Sequence, residues 1–340
     1  MSLQKILILT GMQLLLTSCY SLSQAFQFND LYNSRVEVSE VLRQDSLPEP
    51  IRRQLLWSRE IMDFAEAEGL DVHGAYRYYI HTEQPAVSFL VQAAHDDRLE
   101  WVTWWFPIIG RVPYLGFFDR NERDTRAKKL ADKGYDVATG QVGAFSSLGW
   151  FEDPIYRPML LRPAEELAHL LFHELIHRSF WVPGQVEFNE NLAEFAAMIL
   201  TERFLLARAM QERLKTYQDR RLDREDYRLW LKSLRASLQK VYENSSLLRD
   251  EKLNAKEKIF QEYTTEKLPE FRTAGYGFVK TKQWNNAYVL GASLYAPDFS
   301  RFEKAFRCLR EPIIGSFLEE LKNSLSKGRK PFVALDRLCQ

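Results

Sequence analysis

The run His173-Glu174-Leu175-Ile176-His177 constrains this chain more than any other stretch. Residues four apart on an α-helix share one face, so His173 and His177 can offer neighbouring imidazoles to one metal ion. Leu170, Leu171, Phe172, Leu175 and Ile176 are apolar, which implies a buried helix rather than a solvated one. Glu174 lies beside the two histidines, placed to reach a metal-bound water. A short link containing Pro183-Gly184 follows, and then Asn189-Glu190-Asn191-Leu192-Ala193-Glu194. Glu190 is expected to open the second helix and return a carboxylate to the same ion. Two histidines and one glutamate leave a fourth position open, as a catalytic zinc needs.

Of the six histidines in the chain, three fall in this one helix. His169 precedes His173 by one turn. The outer pair, His169 and His177, would stand about 12 Å apart along the axis, too far to share an ion readily. His169 is therefore read as a core or supporting residue behind the ligands. Glu194 lies one turn beyond Glu190 on the same face. It could accept the free ring N–H of a ligand histidine and fix its tautomer, or be an exposed helix acid.

The N-terminus reads as an address. Lys5 precedes an apolar run, Ile6 to Leu16, that is too short to span a membrane and has the length of a signal-peptide core. Leu16-Thr17-Ser18-Cys19 resembles the bacterial lipobox, which implies lipidation at Cys19; the alternative is an ordinary secretory signal with an incidental cysteine. Residues 1–18 are thus expected to be a signal peptide, 19–33 a tether and 34–340 the working domain. Either signal implies a protein of the bacterial cell envelope, lipid-anchored in a membrane and facing the periplasm, or secreted. Cys308 and Cys339 could pair in such a compartment or remain separate buried thiols. Lys plus Arg equals Asp plus Glu at 46 each, so no basic footprint for nucleic acid exists and none is expected as a partner.

Along the chain, a helix is expected at about 50–68 with Gly69 as its stop, and a strand at Val87 to Ala94. Trp101 to Asp119 reads as strand-turn-strand, and a helix at about 121–133 follows. Ala144, Phe145, Ser146 and Ser147 belong to a small-residue strand at about 144–149 that could bind substrate by backbone pairing. Pro163 suits the first turn of the metal helix. The second ligand helix is expected from near Phe188 to beyond Ala207. Residues 205–271 are charged, with Tyr227, Leu231, Leu234, Leu238 and Val241 at three-and-four spacing, which predicts a helical hairpin or arm. A final helix is expected near 312–326.

The chemistry implied is hydrolysis of peptide bonds. Zinc lowers the pKa of water and polarises a carbonyl, and Glu174 would accept the proton and pass it to the leaving amine. Tyr295 is the first candidate to stabilise the oxyanion and Tyr276 the second.

These paired motifs resemble those of the thermolysin-like zinc peptidases, the gluzincins, in which H-E-x-x-H is followed by N-E-x-x-[SA]-[DE]. More closely, the chain resembles the bacterial family of putative (predicted) aminopeptidases over much of its mature length. The resemblance rests on Gly110-Arg111-Val112-Pro113-Tyr114-Leu115-Gly116-Phe117-Phe118, Gly134-Tyr135-Asp136-Val137, and Phe145-Ser146-Ser147-Leu148-Gly149-Trp150-Phe151-Glu152-Asp153-Pro154. It continues through His173 to His177, Phe188 to Ala193, and Asn285-Asn286-Ala287. It implies His173, His177 and Glu190 as zinc ligands, Glu174 as the catalytic acid–base, and a peptide as substrate. Two departures stand out: the link between the motifs is shorter than in thermolysin-like enzymes, and the Gly-x-Met-Glu-Asn stretch that holds a substrate amine is absent. Glu152 and Asp153 are the candidates to replace it.

The expected fold is α+β: a helix-rich, zincin-like metallopeptidase with a small mixed β-sheet and a long helical hairpin. The rival functions are a zinc endopeptidase of the envelope and a non-catalytic lipoprotein whose zinc ties two helices together. A fourth side-chain ligand, for which His169 is the residue to watch, would favour the last.

Overall fold

The computed structural model describes residues 20, 23–24, 26–106, 110–143, 152–293, 299–309 and 312–339. In chain order the elements are β1 (Val36–Glu37), α1 (Val38–Val41), α2 (Glu49–Ala67), β2 (Tyr78–Ile80), β3 (Ser88–Ala94), β4 (Trp104–Phe106), β5 (Gly110–Val112), β6 (Leu115–Phe117), α3 (Arg120–Ala131), β7 (Asp136–Val142) and β8 (Ile155–Tyr156). Then come α4 (Ala164–Ser179), α5 (Val186–Ala207), α6 (Gln211–Glu243), α7 (Arg249–Thr265), α8 (Phe278–Thr281), α9 (Asn286–Ser293), α10 (Ser300–Arg307), α11 (Ile314–Leu325) and α12 (Pro331–Asp336). The architecture is α+β and helix-rich, as the sequence implied.

The strands form three small sheets among the described residues, where one small mixed sheet was expected. β1-β2-β8 is mixed, β2 running parallel to β8 and antiparallel to β1. β6-β3-β7 is antiparallel throughout, and β4-β5 is a separate hairpin. Strand pairing is non-local, so the number of sheets follows from which edges the helices leave open, not from any one strand's pattern.

The centre of the molecule is the α4–α5 pair with α2 against α4. Leu167, Leu171, Phe172 and Ile176 on α4 and Phe188, Leu192, Phe195 and Phe204 on α5 are almost wholly buried. Each such side chain contributes about 1.5–3 kcal/mol relative to exposure. α2 stops as the sequence predicts: Gly69 takes φ +84°, and the N–H groups of Gly69 and Leu70 return to the carbonyls of Glu66 and Ala65. Phe195 joins this core to the C-terminal helices, its ring within 6.2 Å of Phe299, Phe302, Phe306 and Phe317. The expected last helix is α11, and α12 follows it. A disulfide joins Cys308 to Cys339 with their Cα atoms 5.3 Å apart.

α6 and α7 form the expected helical hairpin. It has its own apolar cluster of Trp230, Leu231, Leu234, Leu238, Phe260 and Tyr263, which Val279, Trp284 and Val289 complete from the following segment. Toward its N-terminal end α6 crosses α4 and α5, and this crossing bears on the site. Among the described residues no helix is long and apolar enough to cross a membrane.

Candidate metal centre

α4 starts after Pro163, with Glu165 and Glu166 in its first turn and His177 and Arg178 in its last, the arrangement its dipole favours. Phe180 leaves the helix in an extended conformation, and Gly184 turns the chain at φ +73°. α5 begins at Val186, two residues earlier than the sequence suggested, so Glu190 sits inside the helix rather than at its opening. The reason is Asn189. Its side chain does not cap α5; it accepts from the Val182 N–H at 3.0 Å and donates to the Val182 carbonyl at 2.8 Å. That clamp folds the link back on α5 and fixes the approach of the two helices.

The two helices bring three donors together. His173 Nε2 and His177 Nε2 are 3.1 Å apart, with their rings edge-to-face. The two carboxylate oxygens of Glu190 lie 3.5 Å from His173 Nε2 and 3.4 Å from His177 Nε2. Donors held at 2.0–2.2 Å around a tetrahedral zinc stand about 3.3–3.6 Å from one another. The donor set and its spacing therefore fit the ion. Side-chain exposure rises from 7% at His177 and 17% at His173 to 34% at Glu190, so the trio opens to solvent on the Glu190 side. Burial alone would raise the Glu190 carboxyl, but hydrogen bonds with His173 and His177 outweigh it and hold it at about 2. Glu190 is thus a carboxylate throughout the neutral range.

Behind the trio lies a second layer of contacts. Glu194 Oε2 is 3.4 Å from His173 Nδ1 and 3.1 Å from His169 Nε2. The other Glu194 oxygen pairs with Arg224 of α6. Burial, then the charges of Arg224 and His173, push the His169 imidazole well below its usual range, so it is neutral. A neutral ring beside an ionised acid donates from Nε2 to Glu194, leaving Nδ1 to accept from the Tyr217 hydroxyl at 2.7 Å. His169, His173 and Glu194 also lie close enough to offer a cation site. The Arg224 guanidinium already neutralises that carboxylate, which favours a supporting role for the group.

Glu174 is buried beside these three donors. Burial raises its carboxyl above the ordinary range; His173 and His177 oppose the shift, while Glu190 and Asp153 add to it. A carboxylate made more basic in this way is a better proton acceptor near neutrality. Loop 71–76 lies against both ends of this region. Arg178 reaches the His73 carbonyl and Asp71, Ser179 Oγ accepts from the Asp71 N–H, and the Tyr76 N–H donates to the Asp153 carbonyl at 2.7 Å. Tyr76 is buried and held at φ +56°, a conformation costly for a bulky side chain. Its hydroxyl is kept protonated, first by burial and then by the Glu174 and Asp153 carboxylates.

Of the candidate residues, His173, His177, Glu190, Glu174, Glu194, His169 and Asp153 gather around this one centre. Cys19, Ala144, Phe145, Ser146, Ser147 and Tyr295 lie outside the described residues. Glu152 packs against Gly74. Tyr276 lies farther out, against Tyr227 and Phe271, with its hydroxyl bonded to Arg224. Arg224, Tyr217, Tyr76 and Trp181 were not anticipated; Trp181 stacks edge-on against His177 with centroids 5.4 Å apart. Only Trp181, four residues after His177, carried a positional hint.

A family model described as "Putative aminopeptidase" matches residues 19–328 of the chain. No curated protein and no solved structure matches it.

Proposed function

The chain belongs to the putative aminopeptidase family, and from that membership we propose a zinc-dependent peptidase that removes N-terminal residues from peptides. The observation that carries the metal reading is the trio of donors 3.1–3.5 Å apart with buried Glu174 beside it. His173, His177 and Glu190 would hold the zinc. When bound, the ion would lower the pKa of water and polarise the scissile carbonyl.

The remaining work falls to the protein. Glu174 accepts the proton of the attacking water and returns it to the leaving amine, a role suited to its raised carboxyl. Glu194, backed by Arg224, orients the His173 ring so that Nε2 faces the trio. Asp153, buried and within electrostatic reach of Glu174, is the acid proposed to receive the substrate ammonium. A purely structural zinc is less well supported: among the described residues no fourth side chain joins the trio, and His169 is turned to Glu194 and Tyr217. The Leu16-to-Cys19 segment supports a lipid anchor at Cys19 and an envelope location.

The test is zinc content and hydrolysis of a mixed peptide library, comparing wild type with Glu174→Gln. Full zinc in both with cleavage lost only in the variant supports the proposal. Equal inertness of both would sink it. Products shortened by single N-terminal residues distinguish an aminopeptidase from an endopeptidase.

A further inference from the structure

The β4–β5 hairpin has two unlike faces. Trp104 and Phe106 point inward and pack with Val102, Leu115 and Phe117. Trp105 alternates to the outer face, where it is 50% exposed and lies directly across from exposed Arg111. Tyr114, just beyond β5, is 42% exposed. Large exposed aromatics beside an arginine suit the headgroup level of a bilayer, where amphipathic rings are anchored and cations meet anionic lipid.

The start of the described chain is seated beside this hairpin, on Phe106 and on β6. The Tyr20 ring packs on Phe106 and Phe117 at 6.1 and 5.5 Å, and its hydroxyl bonds to the Gly116 carbonyl. Farther along, Gln24 accepts from the Phe118 N–H, and both Gln24 and Gln27 donate to Glu122. Residues 26–33 are helical, and Phe28 stacks on Tyr32 and meets Phe118. The residue next to Cys19 is therefore tied to β6 and to Phe106, at the side of the hairpin. A lipid on Cys19 would hold the bilayer within one residue of it.

We propose that the outer face of the β4–β5 hairpin, with Trp105, Arg111 and Tyr114, rests on the phospholipid surface to which Cys19 is anchored. The anchor thereby fixes the orientation of the enzyme as well as its location. This rests on the reading of Cys19 as the lipidated residue.

Two preparations separate the two claims: protein extracted from bacterial membranes, and the chain from Cys19 coupled through that thiol to a maleimide phospholipid. The chain has three cysteines, and the Cys308–Cys339 bond leaves Cys19 for coupling. Both are examined by hydrogen exchange on vesicles of phosphatidylethanolamine and phosphatidylglycerol, against the unattached protein. The expected result is severalfold slower exchange at 103–114 on vesicles, with the α6–α7 arm unchanged. Unchanged exchange at 103–114 in the coupled protein, or slowing confined to another surface, overturns the proposal. Mass spectrometry of the extracted protein reports separately on the anchor. A bare Cys19 there, with protection in the coupled protein, overturns the anchor reading and leaves the surface standing.

Discussion

Arg224, on the long arm helix, pairs with Glu194, one turn along α5 from the candidate ligand Glu190. The second oxygen of that carboxylate stands 3.4 Å from His173 Nδ1. The arm is therefore coupled to the candidate metal centre through Glu194. Replacing Arg224 by Gln, or Glu194 by Ala, is expected to weaken zinc binding about 10–100-fold. Competition with a chelator measures it. An affinity unchanged in both variants would remove the supporting role.

Asp223, the neighbour of Arg224, has no exposed side-chain surface and accepts four hydrogen bonds. They come from the N–H of Arg272, the N–H and hydroxyl of Thr273, and the Arg272 guanidinium. Asp223→Ala leaves two backbone N–H groups unpaired and is expected to cost about 2–4 kcal/mol. Burial alone would raise this carboxyl, but those hydrogen bonds outweigh it and hold it below its ordinary value. Its folded pKa lies below its unfolded one, so its stabilisation is full above the unfolded value near 3.9 and is lost as pH falls through the folded value. Urea unfolding should show the gap between wild type and variant shrinking as the pH is lowered through that range.

Gly315 sits where α11 meets the end of α2, and its N–H donates to the Glu68 carbonyl at 2.8 Å. A Cβ there would lie 2.7 Å from the Glu68 oxygen and 2.9 Å from Gly69 Cα. Both are backbone atoms held by the helix stop and cannot swing aside. Gly315→Ala should therefore destabilise by about 1–3 kcal/mol despite its small volume. A melting temperature equal to wild type would show that the two backbones separate freely.

The Cys308–Cys339 bond spans 31 residues, including all of α11 and α12. Chain-entropy reasoning gives about 3–4 kcal/mol for closing a loop of that size. The Cys308→Ser/Cys339→Ser double variant should unfold at correspondingly lower denaturant. Reduction of the wild type should reproduce the loss, and the variant should be indifferent to reductant.

The two helices that carry His173, His177 and Glu190 were legible because their signal is local. Spacing of four places His173 and His177 on one face, and the apolar neighbours bury that face. Gly69 was legible as a helix stop because a positive φ favours glycine. The structure brings Glu190 to the two histidines, but its place in the helix was misjudged, and only the folded chain shows the Asn189 amide spent on Val182. Arg224 gave no signal at all. It is one of many charges on a solvated-looking helix, and only the crossing of α6 over α5 singles it out. The pairing of Cys308 and Cys339 was equally hidden, since spacing alone does not report the distance between Cα atoms.

The Asn189 clamp has a consequence for how the centre is assembled. His173 and Glu190 are only seventeen positions apart, and the link between their helices is fastened from within. All three donors thus belong to a helical hairpin of low contact order, the kind of unit that closes early in folding.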